Sequence, residues 1–133
     1  MMHLVSPIRA ANGEPMIERL AFCIAASTVC SQTCVACTEA ALSGADFAML
    51  RSCSKAAQDC ADICALTAKL LLRATDCNQE VIRCQMEASM AACRRCRIEC
   101  ERHVSVLEFC DVCTSACLVC EQSCAELVAA LES

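Results

Sequence analysis

The sequence predicts an all-α fold, an antiparallel up-down four-helix bundle with a cysteine-lined core, and three observations carry that prediction. Eight cysteines stand at positions 93, 96, 100, 110, 113, 117, 120 and 124, three or four residues apart within each half of the run. An α-helix turns through about 100° per residue, so positions at that spacing stack on one face. No Gly and no Pro falls between Cys93 and Cys124, so nothing there favours turns. The whole chain has two Gly and two Pro in 133 residues, and good helix formers are plentiful. That length suits one domain with a substantial core.

The elements follow in order. Residues 1–13 read as an irregular arm, and His3 within it as a solvated terminal histidine. The bundle occupies residues 14–133. Pro15 suits the first turn of a helix over about 15–42, with Gly44 as terminator. Asp46 favours the start of a second helix, about 46–73. Asp76 with Gln79 resembles a capping box and opens a third, about 77–103. Ser105 with Glu108 makes a better box and opens a fourth, about 106–131. Short links make sequential neighbours antiparallel.

Projection at helical periodicity predicts the inward faces. The first helix gathers Met16, Leu20, Cys23, Ser27, Cys30, Cys34, Cys37 and Ala41, and the second Met49, Cys53, Ala57, Cys60, Cys64 and Leu71. The third gathers Ile82, Met86, Ser89, Cys93, Cys96 and Cys100. The fourth gathers Val106, Cys110, Cys113, Cys117, Cys120, Cys124, Val128 and Leu131. Fifteen of the 17 cysteines thus share one interior. Cys77 and Cys84 fall on the far side of the third helix with Val81, Ala88 and Ala91. One end of the tube is rich in sulfur and closes on His103; the other is an apolar plug.

Composition narrows the chemistry. Cysteine at this density passes the roughly 8–10% that marks disulfide scaffolds, but those are small, loop-rich and secreted. Helical neighbours also hold their Cβ atoms about 5–6 Å apart, too far for a cystine. Met1 to Met16 has no apolar signal-peptide core, so a reducing cytoplasm is the expected compartment. No apolar run approaches the roughly 18 residues of a membrane span. A net charge of −5 gives nucleic acid no purchase, and Arg94, Arg95, Arg97 and Arg102 read as a solvated run.

Packing alone explains one or two buried cysteines, not fifteen along one channel. Iron–sulfur ligation lacks its loop motif. Dithiol redox catalysis lacks its βαβ setting, so the chain is expected not to be an enzyme. A soft metal ion remains. Zinc takes four tetrahedral ligands, and four thiolates around Zn²⁺ leave a charge of −2, costly when repeated in a dry interior. Monovalent copper near one ion per thiolate leaves the interior almost neutral, and its many similar sites suit storage. The ligand set is Cys23, Cys30, Cys34, Cys37, Cys53, Cys60, Cys64, Cys93, Cys96, Cys100, Cys110, Cys113, Cys117, Cys120 and Cys124, with His103 as a ligand at the mouth or a helix-end histidine. Met49, Met86 and Met90 read as core before thioether ligands. The alternatives are a zinc or cadmium thiolate buffer, and a helical interaction module with packed or redox-active cysteines.

The run C-x3-C-x2-C ending at Cys100, then His103, then C-x2-C-x3-C-x2-C-x3-C from Cys110 to Cys124, resembles the bacterial copper storage proteins over about residues 17–128. The resemblance implies many Cu(I) ions per bundle, a homotetramer and, without a signal peptide, a cytosolic member. The family pattern would also place Cys at Ser27, Ala41, Ala57 and Ser89, and a His often stands at Phe109. Fewer ions than in a fully populated relative are therefore expected.

Overall fold

Among the described residues four α-helices fold back on one another: α1 Ile17–Leu42, α2 Arg51–Leu72, α3 Gln79–Glu101 and α4 Glu108–Glu132. A computed structural model describes residues 8–13, 16–44 and 47–132; Pro15 and Asp46, expected to open helices, and His3 lie outside them. The helices have 26, 22, 23 and 25 residues, roughly 33–39 Å each at 1.5 Å per residue. Helix α1 packs against α2 and α4, and α3 against the same two, a square in which diagonal helices meet only through side chains.

The helix starts differ from the sequence reading. Helix α2 begins at Arg51 because Phe47–Leu50 form turns. That shifts the first core residue: Leu50 is buried, and Met49, expected inside, is 55% exposed. Helix α3 starts after Asn78, whose side chain makes no capping bond to the helix and instead accepts a hydrogen bond from the Thr75 amide. Asp76 is therefore not its cap. Ser105 likewise lies in the turn before α4, so Val106 is exposed and Leu107 packs on the core in its place. Helix α1 ends on Ser43, whose hydroxyl donates to the carbonyls of Glu39 and Ala40.

The far end from His103 is the apolar plug. Met16, Leu71, Ile82, Met86, Leu127, Val128 and Leu131 are buried there in one core. Ile8 from the arm joins them at 1% exposure, and the Ala11 amide donates to the Ala130 carbonyl. The arm is thus part of the fold over its described residues. Sequence periodicity found neither Ile8, which belongs to no helix, nor Leu127, which sits beside the projected stripe.

Hydroxyls and ion pairs knit the seams. The Ser31 hydroxyl donates to the Ala61 carbonyl at 2.8 Å, tying α1 to α2. Thr67 of α2 shares a hydrogen bond with Ser89 of α3, and Gln85 donates to the Thr67 hydroxyl. Four arginines in the second half of α3 and at its end are paired: Arg94 and Arg97 with Glu121, Arg95 with Asp59, Arg102 with Glu99. An exposed pair such as Arg95 with Asp59 contributes only about 0–1 kcal/mol.

By length and mean hydropathy, α1 and α4 are apolar enough to cross a membrane, contrary to the reading that no run approaches a span. Cysteine scores as apolar, and here the stripe that raises the score faces the bundle interior.

Candidate metal centre

All seventeen cysteines are free thiols, and the fifteen of the inner stripes have no solvent exposure. Cys84 is exposed on the outer side of α3, and Cys77, expected on the same helix, is exposed in the turn that precedes it. Each inner thiol is positioned by helical spacing, so four helices deliver a column of sulfur along the bundle axis. Contacts cross the diagonals as well as the edges: Cys30 to Cys93 and Cys34 to Cys96 at 3.9 Å, Cys60 to Cys117 at 4.0 Å.

The column has internal structure. Four groups of four thiols have their sulfurs all within 4.8 Å of one another: Cys30/Cys64/Cys93/Cys120, Cys30/Cys34/Cys60/Cys117, Cys34/Cys96/Cys113/Cys117 and Cys37/Cys53/Cys100/Cys110. The first three are fused, because Cys30, Cys34 and Cys117 each belong to two of them. The fourth, at the His103 end, shares no member with the others. Cys23 and Cys124 belong to no such group; they pair at 3.7 Å beside the apolar plug, and Cys124 is linked to the column through Cys120. Between pair and column lies Ser27, 3.7 Å from the Cys120 sulfur, where the family pattern would have another Cys.

His103 is half-buried in the turn joining α3 to α4. Its amide donates to the Cys100 carbonyl, and its carbonyl accepts from Val106 and Leu107. It belongs to none of the four groups. Met86 is buried in the plug, Met90 packs at the core edge, and Met49 faces solvent.

Burial and mutual hydrogen bonding split the thiols by role. Burial pushes Cys110 up to about 12 from an ordinary 9.0. Cys34, Cys64, Cys93, Cys100, Cys117 and Cys124 are also raised, by hydrogen bonds within the column, chiefly to Cys113, Cys117 or Cys120, with burial adding. Acceptors go the other way: Cys60 is lowered by Cys117, Cys113 by Cys100 and Cys120 by Cys124. A sulfur that accepts protons from its neighbours carries negative charge more easily. A metal-free column therefore holds most of its protons while presenting a few ready acceptors.

The linkage has a definite sign. A thiol raised in the fold keeps its proton after the unfolded chain has lost it, so stability is full below pH 9 and falls as pH rises through the folded value. Thiols lowered in the fold are ionised in both states above pH 9 and add no slope there. Apoprotein stability is expected to decline between pH 9 and about 12, the window set by Cys110. Chemical denaturation across that range checks it; a flat or rising profile would contradict the assignment.

Comparison with known proteins places these features in a group. The family model described as copper storage protein matches residues 16–129. The chain is 42% identical to a cytosolic copper storage protein from Streptomyces lividans solved during copper loading with five coppers, with a TM-score of 0.81 over 84% of this chain and 93% of that one. The Streptomyces lividans protein Ccsp loaded with 10 copper equivalents is again 42% identical, with a TM-score of 0.83 over 86% of each chain. An uncharacterized cysteine-rich protein of Bacillus subtilis, YhjQ, is 30% identical over 107 residues, 80% of this chain and 94% of its own length.

Proposed function

Because this chain belongs to the copper storage protein family, we propose that it stores copper as Cu(I) on the fifteen buried thiols of its bundle, in the cytoplasm and without catalysing a reaction. The observation that carries this reading is the sulfur column itself. Soft thiolates select Cu(I), and a monovalent ion on each thiolate cancels the charge that a dry interior penalises. The proposed ligands are the fifteen inner cysteines, with His103 serving ions that pass the mouth. Cys77 and Cys84 lie outside the store.

The apolar plug lets the bundle fold before metal arrives, so copper enters a preformed site. Anaerobic Cu(I) titration of the reduced protein, counted against a competing chelator, should give many ions per chain with nearly unchanged helix content. A large gain in helicity would instead mean metal-coupled folding. Each thiol loaded gives up its proton, so uptake acidifies an unbuffered solution and weakens as pH falls. Negligible uptake by fully reduced protein would end the storage reading.

Self-association fits the same reading. An apolar groove of about 410 Å³ between α1 and α4 is lined by Phe22, Val29, Val112 and Val119, which are 58%, 54%, 53% and 44% exposed. A second copy of the chain is the proposed occupant, as in the homotetramer that the family resemblance implies. Val29→Glu should lower the mass measured by analytical ultracentrifugation and leave copper capacity per chain unchanged; an unaltered mass would remove this face from the assembly.

A further inference from the structure

We propose that Cys37, Cys53, Cys100 and Cys110 form a discrete site for one Zn²⁺ ion per chain, distinct from the three fused groups of the column. Four thiols there belong to no other group, with Cys100 4.0 Å from Cys96 as the contact to the neighbouring one, whereas the remaining three groups hold Cys30, Cys34 and Cys117 in common. A mononuclear ion needs four private ligands. Divalent ions in the fused groups would have to share thiolates across neighbouring centres and bury their surplus negative charge deep in the column.

The geometry suits zinc. A tetrahedron with Zn–S bonds of about 2.3 Å has edges of about 3.8 Å between sulfurs. Cys53 lies 3.7 Å from Cys110 and 3.2 Å from Cys100, and all six separations fall within 4.8 Å. Side-chain rotations that move the sulfurs by up to about 1 Å would close the set around an ion. One thiol comes from each helix, so the ion would pin all four at the end where the chain is held by turns.

The charge balance at this end is mixed. Four thiolates on Zn²⁺ carry −2, and here that charge sits at the end of the bundle. Cys53 and Cys110 stand in the first turns of α2 and α4, where the helix dipole favours negative charge, while the ends of α1 and α3 oppose it. Arg51, Arg102 and His103 lie near these cysteines in the chain, and so do Glu108 and Asp111. The fields largely cancel, and the case rests on private ligands and their spacing.

This site reuses four proposed copper ligands, so its test must stand apart from the storage reading. The reduced, metal-free protein is titrated with Zn²⁺ against a chromophoric zinc chelator, and separately with Co²⁺, whose visible ligand-field bands report a tetrahedral thiolate site. One equivalent of each is expected. Cys53→Ser and Cys110→Ser should each weaken zinc by more than about 100-fold, since even loss of an outer-shell partner costs 10–100-fold. Cys60→Ser and Cys64→Ser, in the fused groups, should leave the equivalent and its cobalt spectrum intact, which guards against a trivial folding defect. No zinc uptake, several equivalents, or an equivalent that survives Cys53→Ser and Cys110→Ser would overturn the proposal. Cu(I) titration of the same samples reports on storage independently: copper uptake without zinc defeats only the zinc site, and zinc uptake without copper defeats only the store.

Discussion

Replacing Cys30, Cys34 and Cys117 together by serine is expected to remove roughly half or more of the Cu(I) capacity, far beyond their share of the thiols, because bridging thiolates hold soft ions in common. These three residues are the shared members of the fused groups, so their loss strips ligands from all three at once. The group at the His103 end and the Cys23/Cys124 pair keep their full sets. A matched triple variant, Cys23→Ser with Cys77→Ser and Cys124→Ser, removes as many thiols from the periphery and should lose only about one or two ions, since it breaks a single pair and an exposed thiol. Chelator competition on the two variants decides the matter. Equal losses would mean that the thiols act as independent binders and that the fused groups have no meaning for loading. Serine hydroxyls left unpaired in a dry column cost about 1–3 kcal/mol each, so helix content is followed in the same samples.

How much of this was legible in the sequence depends on what each feature rests on. Periodicity alone put the fifteen cysteines on the inner faces, because the three-and-four spacing of Cys93 to Cys124 leaves a helix no other face to choose. It also separated Cys77 and Cys84, which are exposed. Periodicity failed at helix starts, where the chain is not yet helical. The projection at 100° per residue carried Met49 and Val106 inward, but the preceding segments are turns, and Leu50 and Leu107 take those places. Capping boxes misled for the same reason: Asp76 and Ser105 have the right neighbours in sequence, yet turns intervene before Gln79 and Glu108.

The grouping of the thiols was beyond sequence altogether. A stripe says which face a sulfur lies on, not which sulfur across the bundle stands level with it. The axial offset between helices is set by link lengths and by the packing of the plug, and it makes Cys34 a partner of Cys96, Cys113 and Cys117 while leaving Cys23 with Cys124 alone. Ile8 was invisible too, since a single apolar residue in an arm has no period to reveal it.

The plug carries the second large effect. Leu127→Ala is expected to cost the apoprotein about 2–5 kcal/mol, the usual range for deleting a fully buried leucine side chain. Against a total stability of about 5–15 kcal/mol that is a large share, and the melting temperature should fall by roughly 10 °C. Copper capacity should not change, because Leu127 belongs to the apolar end and no thiol is lost. Copper held by the preformed column favours the folded chain over the unfolded one, whose thiols also bind it, so loading should restore part of the lost melting temperature. Calorimetry of apo and loaded protein, wild type and variant, gives all four numbers. A Leu127→Ala protein that keeps its apo melting temperature would show that the sulfur column holds the empty bundle together by itself. One that loses stability and capacity together would show that folding and storage are not separable along the axis. The expected pattern, lower apo stability with an intact store, requires the bundle to be divided as the side chains divide it: hydrocarbon at one end to make the fold, sulfur along the rest to hold the ions.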